Sequence, residues 1–187
     1  MPVNSAVMSA QPLTRRRGVA VLLGAALVAV AAQVALPLPG TPVPMTLQPL
    51  AVLLVGGLLG PSLGAASMIL YLALGAVGLP VFTPYGLPGI ARLIGPTGGY
   101  LLAYPVAAFA VGKLSGDGRH WGRIALAVLA GIALIHLGGV AQLVILTGSA
   151  ASAVRLGTLP FVIGDLLKLG IAILVLRPSL SPFRARL

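Results

Sequence analysis

Breaks rich in proline and glycine divide the chain into six apolar stretches, each near the length needed to cross a bilayer. Gly18 to Leu36 ends at Pro37, Pro39 and Gly40, and a short stretch from about Leu47 to Gly60 is parted by Pro61 from Ser62 to Leu79. Thr97 to Leu114, Gly122 to Leu146 and Gly157 to Leu176 follow. About 20 apolar helical residues cross the ~30 Å of hydrocarbon in a membrane. The expected fold is therefore all-α, a six-transmembrane-helix bundle. The charged residues agree with this, at 7% of the chain where a soluble domain carries about 25%.

Basic residues orient the bundle. With both termini in the cytoplasm, Arg15, Arg16, Arg17, Lys113, Arg119, Arg123, Arg177, Arg184 and Arg186 fall inside. Arg92 and Arg155 fall outside and Lys168 lies within the membrane, so the sorting follows the positive-inside rule. The expected organisation is a cytoplasmic tail over 1–17, a six-helix transmembrane domain over 18–177 and a basic cytoplasmic tail over 178–187. The apolar run after Arg17 is too long for a signal-peptide core and reads as a retained first span. The net charge of +10 is topological information and not a nucleic-acid surface, because the cations sit between apolar blocks with few aromatics to stack on bases. No cysteine is present, which removes thiolate metal sites and cysteine nucleophiles.

On this topology the loops Pro37–Pro44 and Pro80–Pro96 face outward. Irregular backbone at membrane depth needs burial in protein or a cavity to line, so both loops are expected to fold back over the bundle. Ala25 and Ala29, and Gly56 and Gly60, have a small-xxx-small spacing that lets helices approach closely.

The chain has two acidic residues, and Asp165 lies inside the sixth stretch, three residues before Lys168. A charge near the bilayer centre costs roughly 2.5–3.5 kcal/mol even on insertion scales. At i and i+3 the two side chains share a helix face and offset each other's desolvation. The pair is either a clamp between helices or part of a binding site, and the site is favoured because apolar packing would clamp at lower cost. Asp117 reads as a solvated turn residue in Ser115-Gly116-Asp117-Gly118. Catalysis is disfavoured. No GxxxxGK[ST] loop is present. His120, beside Trp121, reads as an interfacial anchor, and His136 as a hydrogen bond between helices. Neither has partners at metal-ligand spacing, and no cofactor is expected.

The remaining polar groups suit binding. Thr46 and Gln48 begin the second span with two hydrogen-bonding side chains on the outer side, where a binding role is favoured over helix capping by Thr46 and an interfacial Gln. Phe82, Thr83 and Tyr85 offer aromatic walls and hydroxyls. Arg92 precedes Gly95-Pro96-Thr97-Gly98-Gly99-Tyr100, a glycine-rich turn entering a helix whose N–H groups suit an anion. Arg155 reads as an interface residue. A matching ligand is small, partly apolar and anionic, with hydrogen-bond donors.

Four segments in order, Pro44-Met-Thr46-Leu-Gln48, Tyr71-Leu-Ala-Leu-Gly-Ala-Val-Gly78-Leu-Pro80-Val-Phe82, Gly95-Pro-Thr-Gly-Gly-Tyr100 and Pro160-Phe-Val-Ile-Gly164-Asp165-Leu-Leu-Lys168, resemble the BioY family. These are the biotin-binding S components of energy-coupling factor (ECF) transporters. The resemblance implies a six-helix bundle in the plasma membrane of a prokaryote that binds biotin from outside. It implies Asp165 as acceptor for the ureido N–H groups, with Gln48 or Thr46 assisting and Lys168 as counter-ion of Asp165. Arg92 or the Gly98–Gly99 backbone would hold the valerate carboxylate, and Tyr85, Phe82 or Tyr71 would support the bicyclic ring. It also implies a transmembrane coupling protein (T component) and ATPase subunits as partners, with Ala25 and Ala29 as a possible contact. Two alternatives remain at this stage: a same-fold subunit or stand-alone secondary transporter for another vitamin or small carboxylate, and a membrane enzyme or structural scaffold.

Overall fold

A computed structural model describes residues 5–185. Residues 1–4 of the expected N-terminal tail, and Arg186 and Leu187 of the C-terminal one, lie outside the described residues. The chain is mostly helical, since lipid offers no partner for backbone N–H and C=O groups and a helix satisfies them internally. Helix α1 (Ser5–Gln33) leads through a two-stranded antiparallel ribbon, β1 (Ala35–Leu36) and β2 (Met45–Thr46), into α2 (Gln48–Leu59) and α3 (Pro61–Ala76). The short α4 (Ala91–Ile94) sits in the long loop before α5 (Gly98–Leu114), followed by α6 (Trp121–Thr147) and α7 (Ala150–Gly157). A 3-10 turn, Leu159–Phe161, runs into α8 (Val162–Arg184).

Among the described residues, three helical stretches are long and apolar enough to cross a membrane: Arg15–Gln33, Trp121–Thr147 and Ala150–Leu180. Helices α2, α3 and α5 are apolar but shorter. Exposed Leu126, Leu137, Ile145, Ile163, Leu166 and Leu174 on α6 and α8 present an apolar outer face of the kind lipid covers.

One segment departs from expectation. Gly148 to Leu156 lies between the fifth and sixth apolar stretches and reads in sequence as a short small-residue loop, yet most of it is α7. Gly148 ends α6 at φ +69, a left-handed conformation that glycine adopts without steric cost. Ser149 then caps α7 by accepting a hydrogen bond from Ser152 N at 3.3 Å. Ala150, Ala151 and Ala153 are strong helix formers.

Small residues set the close helix contacts. A Cβ on Gly99 of α5 would stand 2.1 Å from the carbonyl oxygen of Gly138 on α6, and one on Gly56 of α2 would stand 2.4 Å from that of Ala108 on α5. Ala25 is 2% exposed within the bundle's own core, and Ala29 packs against that core. The expected Ala25/Ala29 contact with another protein is therefore corrected: this spacing serves packing inside the chain, and α1 turns Leu22, Leu23 and Val30 outward instead.

At the end where α2 and α5 finish, Arg184 donates to the carbonyls of Gly57 (2.6 and 2.9 Å), Gly112 (2.8 Å) and Gly116 (2.8 Å) and to Ser115 Oγ (3.0 Å). Carbonyls near helix C-termini lack intrahelical partners and carry partial negative charge, so they satisfy a guanidinium through hydrogen bonds alone. At the other end both proline-rich loops fold onto the bundle. Thr41 donates to Leu156 O at 2.7 Å, and Gln33 Nε2 to Phe82 O at 3.1 Å.

Candidate functional site

A cavity of about 60 Å³ opens at this loop-covered end, between α2, α5, α6, α8 and both loops. One wall is built by α6 and α8. Asp165 and Lys168 face inward together while Leu166 and Leu167 between them are exposed, as the 3.6-residue helical repeat requires. Lys168 Nζ donates to Asp165 Oδ1 at 2.9 Å. On the other carboxylate oxygen, Oδ2, stands His136 Nε2 at 2.6 Å, reaching across from α6. His136 Nδ1 lies 3.2 Å from Gly157 O, which also accepts from the Tyr100 hydroxyl at 2.6 Å. Lys168 is only 6% exposed, and a buried ion pair holds together when further hydrogen bonds complete it.

Further lining comes from β2, α2 and the long loop. Gln48, 3% exposed, donates to the Tyr71 hydroxyl at 2.6 Å. Thr46 Oγ1 donates to Gln48 Oε1 and accepts from Gln48 N, both at 3.2 Å. Arg92, also 6% exposed, gathers the loop around its guanidinium. Nε donates to Leu87 O at 2.9 Å, Nη2 to Thr83 O at 2.9 Å and Nη1 to Thr83 Oγ1 at 3.0 Å, with Tyr85 O a further acceptor. Gly86 makes this wrap possible. Its φ is +93, and a Cβ there would stand 2.8 Å from Nη1.

Of the residues expected from sequence, Asp165, Lys168, Arg92, Gln48, Thr46 and Phe82 line the cavity. Tyr71, Tyr85, Gly98 and Gly99 are placed elsewhere. Tyr71 is fully buried behind Gln48 and meets Phe82 edge-on, with ring centroids 5.4 Å apart. Tyr85 is 47% exposed and contributes its carbonyl to Arg92. Gly98 and Gly99 are packing positions, with a Cβ on Gly98 falling 1.9 Å from Leu93 O. Sequence reasoning did not select Tyr100, Tyr104 and Phe161, which line the cavity. Tyr100 and Tyr104 stand at i and i+4 on one face of α5, a signal that an ordinary packing stripe would also give. His136 was read as a link between helices and does bridge α6 to α8. Among the described residues no group of three or more His, Cys, Asp or Glu is placed to hold a metal ion.

The family model for the BioY family matches residues 5–185. The chain belongs to the BioY family. A Pyrococcus horikoshii protein named as a probable biotin transporter BioY is 40% identical over 155 residues, covering 83% of this chain and 90% of that one. The biotin transporter BioY of Thermotoga maritima is 37% identical over 150 residues, covering 80% and 87%. A crystal structure of the S-component for biotin from an ECF-type ABC transporter matches with a TM-score of 0.81 at 27% identity, over 89% of this chain and 92% of that one. This BioY chain thus shares an S-component's architecture along nearly its whole length.

Proposed function

We propose that the chain is the substrate-binding membrane subunit of an ECF-type vitamin transporter and that it serves biotin uptake. It is a transporter subunit and not an enzyme. The observation that carries the reading is the buried Asp165 carboxylate, held by Lys168 and His136 in a cavity with aromatic and apolar walls, in a chain of the BioY family. A carboxylate is the natural acceptor for the two ureido N–H groups of biotin. Lys168 neutralises and orients it. Gln48 and Thr46 assist at the same end of the ligand, and Phe82 with Tyr100 and Tyr104 supports the ring.

Biotin's valerate carboxylate needs a cation other than Lys168, which Asp165 already engages, and Arg92 fits that role. Four of its N–H groups are engaged by the loop, and a guanidinium has five, so one Nη2–H remains. At about 60 Å³ the cavity is well below the ~300–1,000 Å³ usual for small-molecule sites. Admission of biotin therefore requires the loops Pro37–Pro44 and Pro80–Pro96 to move outward.

The positive-inside distribution supports six spans, cytoplasmic termini and an outward-facing cavity, in a multi-pass protein of the prokaryotic plasma membrane. Tails over 1–17 and 178–187 then lie in the cytoplasm. A T component and ATPase subunits supply the energy, since this sequence contains no P-loop. The test is a thermal-shift and equilibrium-binding screen of the purified protein against biotin and other vitamins. Stabilisation by biotin is expected. Stabilisation by a different vitamin, with none by biotin, overturns the assignment.

A further inference from the structure

This inference rests on the biotin-binding reading and concerns the protons of the same site. His136 stands between two acceptors, with Gly157 O 3.2 Å from Nδ1 and Asp165 Oδ2 2.6 Å from Nε2. A backbone carbonyl has no proton to give, and neither has an ionised carboxylate. A neutral imidazole carries one N–H, so it serves one acceptor and turns a lone pair on the other. Both contacts are hydrogen bonds only when His136 and Asp165 together hold two protons. The two arrangements are imidazolium with carboxylate, or neutral imidazole with carboxylic acid. Either leaves the pair uncharged, and Lys168, 2.9 Å from Oδ1, brings the cluster to +1. With one proton fewer the cluster is neutral.

The charged and titratable groups sharing the cavity with His136 are Asp165 and Lys168 of α8, Tyr100 and Tyr104 of α5, and Arg92 of α4. Helix α2 contributes the uncharged Gln48, and Arg155 of α7 is exposed. Tyrosine and arginine ordinarily keep their protons to about pH 10 or higher, whereas the His136–Asp165 pair is the set in this cavity whose two contacts need a second proton for both to be hydrogen bonds. A monoanion in this cavity favours the more positive state of the pair, and linkage makes that preference reciprocal.

We propose that His136 is the seat of a proton that binds together with a carboxylate ligand, so that biotin and H⁺ occupy the cavity as coupled ligands. His136 is then a positioning residue for Asp165 and the carrier of the coupled proton.

The experiment measures biotin Kd for the full-length protein in detergent from about pH 6 to pH 9, with calorimetry in two buffers of different ionisation enthalpy. The wild type should bind more weakly as pH rises, by up to about tenfold per unit, with net proton uptake over the sloping range. His136→Gln should flatten the slope and abolish the uptake, and the uncharged amide of biotin should show a shallower slope than biotin. A flat wild-type profile without proton uptake overturns the coupling while leaving biotin binding intact, and needs no variant. A slope that persists in His136→Gln, or one equal for biotin and its amide, also overturns it. Absence of biotin binding at every pH removes the functional reading and this inference with it.

Discussion

Lys168 and Arg92 are equally buried cations lining one cavity, stabilised in different ways. Lys168 has a carboxylate at 2.9 Å, and that carboxylate is in turn held by His136. Arg92 is held by hydroxyl and carbonyl dipoles of its own loop. Carbonyl dipoles satisfy a guanidinium's donors but leave its charge formally uncompensated. The α6–α8 wall is thus a closed unit in which the cation has a counter-charge in contact, whereas among the described residues Arg92 has no carboxylate partner and attracts an anion. A ligand with N–H donors at one end and a carboxylate at the other matches this asymmetry.

The largest effect should come from Asp165→Asn, which breaks the closed unit and leaves Lys168 buried without its counter-charge. Losing one member of such a buried charged pair costs about 2–5 kcal/mol of binding, so equilibrium dialysis should show biotin affinity reduced at least about 30-fold with membrane insertion unchanged. Unchanged affinity would make the carboxylate a clamp between helices. Next comes Arg92→Met, expected to weaken biotin binding by about 10- to 100-fold, or ~1.4–2.8 kcal/mol. It should also speed hydrogen exchange of amides within 80–96. Arg92→Lys keeps the charge without the planar fork, so binding should recover further than loop protection. Equal recovery of both would mean the loop needs charge alone.

Gln48→Leu leaves the Tyr71 hydroxyl buried without its partner, which costs about 1–3 kcal/mol. A lowered thermal midpoint and a roughly tenfold weaker biotin Kd, about 1.4 kcal/mol, are expected. The smallest change should follow Tyr85→Ala. Its side chain is exposed and its carbonyl survives the substitution, so Kd should shift by less than about threefold, under ~0.7 kcal/mol. A larger shift would place the Tyr85 ring on the ligand and extend the loop side of the site.

Much of the helical framework was legible because apolar runs and proline breaks act locally. The expected Gly122–Leu146 and the observed Trp121–Thr147 differ by one residue at each end, and Thr97–Leu114 and Gly98–Leu114 by one at the start. The stretch after Gly148 was misread because its composition resembles a loop, while the Ser149 cap makes it a helix. Within the site, Asp165 and Lys168 were legible because a charge in an apolar run is conspicuous and i,i+3 spacing fixes a shared face. Tyr100, Tyr104 and Phe161 were not, since an aromatic in an apolar segment carries no mark of facing a cavity. Gly98 and Gly99 were read as an anion cradle, yet a glycine needed for backbone approach to a ligand looks the same in sequence as one needed for helix packing.

By itself the sequence determined the helical character, the breaks between helices, the distribution of cations and the adjacency of Asp165 to Lys168. Periodicity, propensity and hydropathy act over a few residues, and that range suffices for these features. Tertiary structure decided that His136 completes the carboxylate's partners from 29 residues away, and that Arg92 spends most of its donors on its own loop. It also decided that Ala25 faces its own core. Each depends on which helices meet and at what rotation, a property of the packed bundle that no local stretch of sequence encodes.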